Sequence, residues 1–252
     1  MANEPNRVDA TTGGEGGGGG VAALVPPENP TVATELRALL PADVEVHIAP
    51  LPLLTGTLAD RLAGYNDALT STAETLRPAR PDVTYFACTG SSYLVGPERD
   101  ADLHDAIDAA GAGRGLTAAR AILETLADLD RTRVLVVSPY PDWLTDLAVA
   151  HWGAAGLTVV GVQKAPAPNG IYAITPAEVA ALLRGLRPDP DTVVLLSGTG
   201  MPTVDAIAQV GDELGVPVLS SSVAAAYRAL HRLPDAAAAR SSLVNDLIGR
   251  WR

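Results

Sequence analysis

Short apolar and β-branched runs alternate along the chain with longer Ala- and Leu-rich segments whose apolar positions recur at helical spacing. The short runs predict buried strands, and the segments between them predict helices. Such alternation predicts an α/β fold whose parallel sheets are covered by helices on both faces. The predicted strands are residues 21–25, 44–49, 83–87, 133–138, 157–162, 192–197 and 216–220. The predicted helices are residues 31–40, 57–77, 97–111, 117–129, 142–155, 176–185, 202–214 and 221–231.

Two landmarks at predicted strand ends occur twice along the chain. A strand runs into proline at VPPEN and again at SPYPD, and the first prolines of these motifs are 113 positions apart. A strand runs into a Thr-Gly turn at ACTG and at SGTG, where Cys88 and Gly198 are 110 positions apart. These nearly equal offsets predict two similar Rossmann-like lobes with parallel sheets, related by a pseudo-twofold axis. Parallel sheets bind ligands at the carboxyl ends of their strands, so all four landmarks are expected to face one cleft.

The same pattern divides the chain into three parts. Residues 1–20 end in GGEGGGGG and are predicted to form a disordered, flexible tail outside the fold. Residues 21–115 and the C-terminal helical segment 221–252 are assigned to the first α/β lobe. Residues 116–220 are assigned to the second α/β lobe.

Composition narrows the expected partners and compartment. The 252 residues carry 29 acidic and 18 basic side chains, so neither nucleic acid nor an anionic membrane is an expected partner. No apolar stretch approaches the roughly 20 residues of a membrane span. One cysteine excludes an internal disulfide, and the N-terminal segment lacks the basic and apolar regions of a secretory signal. We therefore expect a cytoplasmic protein.

The common cofactor motifs are incomplete in this sequence. GAGRG (111–115) and GTGMP (198–202) contain GxG, but Leu116 and Thr203 stand where a dinucleotide fingerprint has its third glycine or alanine. The P-loop Gly-Lys-Ser/Thr and the hydrolase GxSxG are absent. The four histidines lie too far apart for a metal-ligand spacing. We expect no cofactor and no metal.

The two Thr-Gly turns are candidate anion sites. Small residues at a strand end leave backbone N–H groups free to point outward, and a following helix adds partial positive charge. We expect the turns to face each other and to hold a carboxylate without any arginine, although either turn alone is also an ordinary strand-to-helix connection. The residues concerned are Thr89, Gly90 and Ser91 in the first turn and Gly198, Thr199 and Gly200 in the second.

Cys88, the only cysteine, lies directly before the first turn. Packing is the usual reason for a single buried thiol. Beside helix N–H groups, however, the thiolate is favoured, and the group becomes a nucleophile or a proton carrier. Tyr140 in the second proline turn supplies a candidate anion-binding hydroxyl. Asn29 and Asn169 supply candidate loop amides, although Asn169-Gly is also a turn signal.

Four motifs together resemble the aspartate/glutamate racemase superfamily, in particular its maleate cis-trans isomerases and arylmalonate decarboxylases. They are VPPENPTV, FACTGSS, SPYPDWL and LSGTGMPTVDAI, and the similarity runs in order from Val21 to Ala229. The resemblance implies two Rossmann-like lobes with the active site between them. It also implies no cofactor, a small mono- or dicarboxylate substrate and a homodimer.

The resemblance implies roles for individual residues as well. ACTGSS matches the isomerase motif that carries the nucleophile, which is Cys88 here, and PPEN places Asn29 as an amide that holds a carboxylate. Tyr140 corresponds to the tyrosine of the second proline turn. In the decarboxylases, the groups that stabilise an enediolate match Thr89, Gly90, Tyr140, Thr199 and Gly200.

One departure from the family matters most, because the cysteine of its second lobe is Gly198 here. A two-thiol racemase is therefore not expected. Two reactions remain: thiolate addition to the double bond of a maleate-like acid, followed by rotation and elimination, or decarboxylation of a substituted malonate with Cys88 as the proton donor. The first is preferred because Asn29 and ACTGSS resemble the isomerases. A non-catalytic protein that binds a carboxylate is a further alternative.

Overall fold

The computed structural model describes residues 19–234 and 242–251. Eight strands in this part of the chain form two four-stranded parallel sheets, ordered β2-β1-β3-β4 and β6-β5-β7-β8. The first sheet contains β1 (Gly20–Val25), β2 (Glu45–Pro50), β3 (Val83–Phe86) and β4 (Arg114–Thr117). The second contains β5 (Arg133–Ser138), β6 (Thr158–Lys164), β7 (Val193–Leu196) and β8 (Val218–Ser220).

Helices connect and cover these strands. In chain order the described α-helices are α1 (Val32–Leu39), α2 (Leu58–Asp67), α3 (Leu69–Glu74), α4 (Thr89–Ala109), α5 (Ala118–Asp128), α6 (Asp142–Ala154), α7 (Pro176–Gly185), α8 (Val204–Val210), α9 (Ser221–Leu230) and α10 (Leu243–Gly249). Short 3-10 helices follow at Arg77–Ala79, Ile171–Ala173 and Gly211–Leu214. No described helix is long and apolar enough to cross a bilayer.

The central strands are the most apolar parts of the sequence, and they are buried on both faces. Every residue of β3 and β7 is buried, as are Val21 to Val25 of β1. Continuous Val, Leu and Ala runs suit strands that helices cover from both sides. The edge strands β2 and β6 consist mostly of partly or fully exposed residues, whereas the short edge strands β4 and β8 at the opposite edges are almost entirely buried.

The two sheets have the same strand order when β5 is matched to β1, which confirms the predicted pair of similar α/β lobes. The predicted lobe boundaries stay a prediction. Strand β4 spans the proposed boundary after residue 115, and α5 packs on β4, α4 and α9. Of the predicted tail, residues 1–18 lie outside the described residues, whereas Gly20 already belongs to β1.

Three elements differ from the sequence prediction. Strand β4 was not predicted, because RGLT offers only one large apolar residue and follows two glycines. The segment 57–77 forms two helices rather than one, with a break at Ala68. Helix α4 begins at Thr89 rather than Pro97, and its non-helical residue Gly96 (φ +81°) marks a kink just before the predicted start.

Two side chains of the first lobe bind the second lobe beside the cleft. The buried Glu35 carboxylate of α1 accepts hydrogen bonds from the backbone N–H groups of Thr203 and Val204. The Asn29 amide donates to the Thr199 hydroxyl at 3.2 Å. These contacts fix the relative position of the lobes where the strand ends converge.

Candidate active site

The carboxyl ends of strands from both sheets converge on one cavity of about 780 Å³. Parallel strands place their following loops at the same sheet edge, so the loops after β1, β3, β5, β6 and β7 all reach it. Six residues predicted for the site lie in its wall. They are Cys88, Gly90, Tyr140, Asn169, Thr199 and Gly200.

Cys88 occupies the position just before α4, where the chain leaves β3. Its side chain is 6% exposed but contributes to the cavity wall. The Ser91 hydroxyl donates a hydrogen bond to Sγ at 3.2 Å, and the backbone N–H groups of Ser91 and Gly90 also point at the sulfur. Burial raises the pKa of the Cys88 thiol, and these hydrogen bonds oppose that rise by stabilising the thiolate.

The matching turn of the second lobe is built differently. Gly198 has φ +103°, a left-handed backbone that favours glycine. The Thr199 hydroxyl donates to the Ala87 carbonyl of the first lobe at 2.8 Å. Helix α8 begins only at Val204, and Glu35 already occupies the N–H groups at its start. The second helix therefore does not present its N-terminus to the cavity, contrary to the expectation of two equivalent turns.

The remaining predicted site residues lie behind the cavity wall. The Asn29 carbonyl oxygen accepts from the backbone N–H groups of Thr31 and Val32, and its amide reaches Thr199. The Thr89 hydroxyl lies 3.1 Å from the Ser221 hydroxyl, which accepts from the Gly198 N–H at 3.3 Å. Four predicted residues thus lie outside the lining and contact the residues or elements that form it: Asn29, Thr89, Ser91 and Gly198.

Tyr140 is held from several sides. Its carbonyl accepts from the Lys164 ammonium and the Thr145 hydroxyl, and its ring packs edge-on against Tyr93 with centroids 6.3 Å apart. Burial raises the pKa of Tyr140 well above its usual value of 10.0, while a hydrogen bond with Thr89 acts in the opposite direction. The phenol is therefore protonated at any physiological pH.

The cavity also contains two cations that the sequence reasoning missed. Arg61 of α2 and Lys164, the only lysine of the chain, contribute to its wall from opposite lobes. The expectation that the two turns hold a carboxylate without any arginine stays a prediction, although an arginine does lie in the same cavity wall. The Arg61 guanidinium lies 3.4 Å from the Glu28 carboxylate, and its Nε has no hydrogen-bond partner. Lys164 binds three oxygens, those of Tyr140, Asp142 and Thr145.

Much of the remaining wall is apolar or aromatic. Leu58, Leu62 and Tyr65 come from α2, and Ile171 and Tyr172 come from the loop after β6. Helical spacing in the segment 57–77 predicted the apolar face of α2, but nothing in the sequence showed that part of this face is turned to a cleft. Among the described residues, one group with metal-ligand geometry, His104, Asp105 and Asp108, lies on α4 and not in the cavity wall.

A cleft between two parallel α/β lobes, with one thiol at a strand end, defines a two-lobed α/β protein with a candidate cysteine site between its sheets. The model of the family described as arylmalonate decarboxylase matches residues 21–244. The chain belongs to this family, whose members among the curated relatives include maleate isomerases as well as a decarboxylase.

Two relatives illustrate the two activities. The chain is 30% identical over 222 residues to a maleate isomerase of Nocardia farcinica, covering 83% of this chain and 88% of the relative. It is 28% identical over 213 residues to an arylmalonate decarboxylase of Bordetella bronchiseptica, covering 80% of this chain and 88% of that protein.

Solved structures agree with this assignment. A cysteine-to-serine mutant of the Nocardia farcinica maleate cis-trans isomerase, with a covalently bound succinylcysteine intermediate, superposes with a TM-score of 0.77 at 26% identity. The match covers 85% of this chain and 92% of that one. A liganded arylmalonate decarboxylase, in which one glycine is replaced by cysteine and one cysteine by serine, gives a TM-score of 0.76 at 26% identity over 89% of this chain and 97% of that one.

Proposed function

We propose that the chain is a cofactor-independent, cysteine-dependent isomerase of a small dicarboxylic acid and converts a maleate-like cis acid to its trans isomer. One observation carries this proposal: the Cys88 thiol lies in the wall of a cavity onto which strand ends of both lobes open. The succinylcysteine of the Nocardia farcinica relative supports covalent chemistry on such a thiol.

The reaction follows from the geometry around the sulfur. The thiolate forms a C–S bond at one olefinic carbon, and the π electrons move to the adjacent carbon and its carboxylate. Protonation of that carbon leaves a single bond, which rotates. Loss of a proton then re-forms the double bond and expels the thiolate. The Arg61 and Lys164 side chains and the Asn169 amide in the cavity wall are the candidate donors for charge that develops on carboxylate oxygen.

Two cations of the cavity wall suit an acid with two carboxylates. Arg61 and Lys164 come from opposite lobes, and each is paired with a carboxylate of the wall, Glu28 and Asp142. A substrate carboxylate would bind each cation in competition with that partner, so the attraction is local in a chain whose net charge is −11. The amide of Asn169 adds an exposed hydrogen-bonding group at the same wall.

Decarboxylation of a substituted malonate is the second candidate, and the apolar wall favours it. Leu58, Leu62 and Ile171 form a surface that suits an aryl or alkyl substituent, and a maleate-like acid fills only part of a cavity of about 780 Å³. In that reaction the cleavage of CO2 leaves an enediolate, and the Cys88 thiol protonates its carbon.

Proton NMR of the protein with maleate, and separately with phenylmalonate, separates the two reactions. We expect fumarate from maleate, and a drop of at least roughly 10³-fold for Cys88→Ala, because that variant removes the nucleophile. The Cys88→Ser variant keeps the size of the side chain and is expected to be nearly as inactive. Phenylacetate formed without any fumarate would instead establish the decarboxylase.

Alkylation separates an enzyme from a mere binding protein. Iodoacetamide should modify Cys88 faster than it modifies glutathione once the rates are corrected to the same thiolate fraction. The rate should rise with pH through the neutral range, because burial raises the pKa of the thiol above 9.0. A thiol no more reactive than glutathione, in a protein that turns over neither acid, would contradict the proposed function.

A further inference from the structure

The chain has one thiol, yet the isomerisation described above needs a second protic group. Thiolate addition places negative charge on the carbon next to the C–S bond. The succinylcysteine of the Nocardia farcinica relative is a saturated adduct, so in that protein this carbon has gained a proton. That adduct forms after one cysteine has been replaced by serine, so the relative contains at least two cysteines. Here Cys88 cannot serve both roles, because its sulfur is bonded to the substrate during the protonation.

The space beside Gly198 is already filled by a hydroxyl. A Cβ placed on Gly198 would lie 2.9 Å from the Tyr140 hydroxyl oxygen and 3.1 Å from Cδ1 of Ile171. The first distance is shorter than real Cβ contacts, and the φ of +103° further opposes a side chain here. Because the resemblance aligns Gly198 with the second-lobe cysteine, the phenolic oxygen occupies the region in which that thiol is expected.

Hydroxyl groups lie beside the phenol at the base of the two turns. The Thr89 side chain lowers the pKa of Tyr140, and its hydroxyl lies 3.1 Å from that of Ser221. Ser221 in turn accepts from the Gly198 N–H. Polarised hydroxyl groups of this kind stabilise the transient tyrosinate that proton donation leaves behind.

Other protic groups in the cavity wall are less suited to the task. The Thr199 hydroxyl already donates to the Ala87 carbonyl. The Lys164 ammonium already donates to three oxygens, those of Tyr140, Asp142 and Thr145. Tyr172 lies on the loop after β6 and is 37% exposed, so it is not held as Tyr140 is. Tyr65 is a buried tyrosine of the wall, but it lies on α2 in the same lobe as Cys88, whereas Tyr140 comes from the second lobe and its hydroxyl lies beside Gly198.

We propose that the Tyr140 phenol donates the proton to the carbon next to the new C–S bond, and that the resulting tyrosinate removes a proton from the same carbon after rotation. This inference rests on the proposed isomerase function. After protonation, the carbon next to the C–S bond carries its original hydrogen and the added one. If the phenol keeps the same position relative to the sulfur during addition and elimination, loss of the added hydrogen returns maleate. Fumarate forms only when the original hydrogen leaves. The fumarate therefore keeps the hydrogen that came from Tyr140.

Deuterium reports this step directly. The protein is equilibrated in D2O and mixed in excess with maleate, so that each molecule reacts once, and the fumarate is analysed by mass spectrometry and NMR. We expect close to one deuterium per fumarate. The Tyr140→Phe variant should form fumarate slower by on the order of 10²-fold or more, because a general acid–base group is lost. Its Cys88 should still react with iodoacetamide at close to the wild-type rate, which shows that the site is intact.

The control is Tyr227→Phe, which removes a hydroxyl from a buried tyrosine of α9 outside the cavity wall. It should change neither the rate nor the deuterium content. Fumarate without deuterium from the wild type would overturn the role of Tyr140 and leave the isomerase function standing. Deuterated fumarate formed by Tyr140→Phe at close to the wild-type rate would also overturn it, since another exchangeable group would then supply the proton. Failure of the wild type to convert maleate would overturn the function and this inference together.

Discussion

The two lobes share a strand order but end differently at the cavity. In the first lobe, β3 leads directly into α4, and the N–H groups of Gly90 and Ser91 point at the Cys88 sulfur. In the second lobe, β7 leads into a left-handed glycine, and the N–H groups at the start of α8 are bound by Glu35. The corresponding helix ends therefore have different partners: the first directs its N–H groups at the Cys88 sulfur, and the second binds a carboxylate of the other lobe.

This difference shows how a duplicated fold becomes an asymmetric site. A helix N-terminus can stabilise one anion at a time, either a reacting group or a structural carboxylate. Because Glu35 occupies the second terminus, that terminus is not free to bind a substrate anion. The second lobe presents the side chains of Tyr140 and Lys164 to the cavity.

The largest effect on this asymmetry is expected from Gly198→Ala. The added Cβ would press on the Tyr140 hydroxyl, and the positive φ alone costs about 1–2 kcal/mol for a non-glycine residue. We expect fumarate formation to fall by roughly 10²-fold, the range for a displaced proton donor. Steady-state kinetics and thermal unfolding measure the two losses.

Gly90→Ala is the matched variant in the first lobe. Its added Cβ would lie 3.2 Å from the end of the flexible Leu62 side chain, and its backbone is helical. Thermal unfolding should therefore show a smaller loss of stability than for Gly198→Ala. Equal losses of stability would mean that the backbone of the two turns is not the source of the difference.

The next largest effect is expected on the free energy of unfolding, when the contact of Glu35 with the second lobe is changed. Burial raises the pKa of Glu35 above 4.5, despite the hydrogen bonds that oppose the rise. Between the unfolded and the folded pKa the native state binds more protons, so this group makes the free energy of unfolding fall as pH increases from 4.5. Glu35→Gln keeps an oxygen acceptor for Thr203 and Val204 but cannot titrate.

Urea unfolding of wild type and Glu35→Gln at a series of pH values tests this. The wild type should lose stability relative to the variant as pH rises above 4.5, each unit of pKa shift being worth about 1.4 kcal/mol at full ionisation. A difference in unfolding free energy that stays constant with pH would show that Glu35 does not titrate in this way.

The smallest kinetic effects are expected when the two cations of the cavity are replaced. Arg61 has one loose partner, Glu28, whereas Lys164 is bound to three oxygens. Arg61→Gln should therefore raise KM for a dicarboxylate by roughly tenfold or less with little change in kcat, because it removes a binding charge at the entrance. The rise should shrink at high salt.

Lys164→Met should instead lower kcat, since Lys164 holds the Tyr140 carbonyl. The opposite pattern in the kinetics would reverse these assignments.

The fold could be predicted from the sequence because its central strands are continuous apolar runs. Val21–Val25 and Val193–Leu196 are short, wholly apolar runs between helical segments, and this pattern predicts buried parallel strands. Strand β4 could not be predicted, because RGLT gains its strand conformation from pairing with β3 rather than from its own composition. The start of α4 was missed because Pro97 gives a clear start signal and Thr89 to Gly96 do not.

The candidate site was predictable in part, for a physical reason. Strand-end turns such as Cys88–Gly90 and Thr199–Gly200 have a fixed relation to the sheet edge, so sequence places them near the cleft. Arg61 lies on a helix with a mixed face, and nothing local shows that it turns toward a cavity. That Asn29 and Thr89 lie behind the wall depends on long-range hydrogen bonds, which a linear pattern cannot show.

The direct hydrogen bond from Thr199 to the Ala87 carbonyl has a consequence for the catalytic cycle. It ties the two lobes together one residue away from Cys88. This hydrogen bond holds the two lobes at a fixed distance beside Cys88. The rotation of a carboxylate about the new single bond therefore uses the free volume of the cavity and needs no hinge motion between the lobes. Turnover should accordingly proceed without any opening of the molecule between bond formation and bond cleavage.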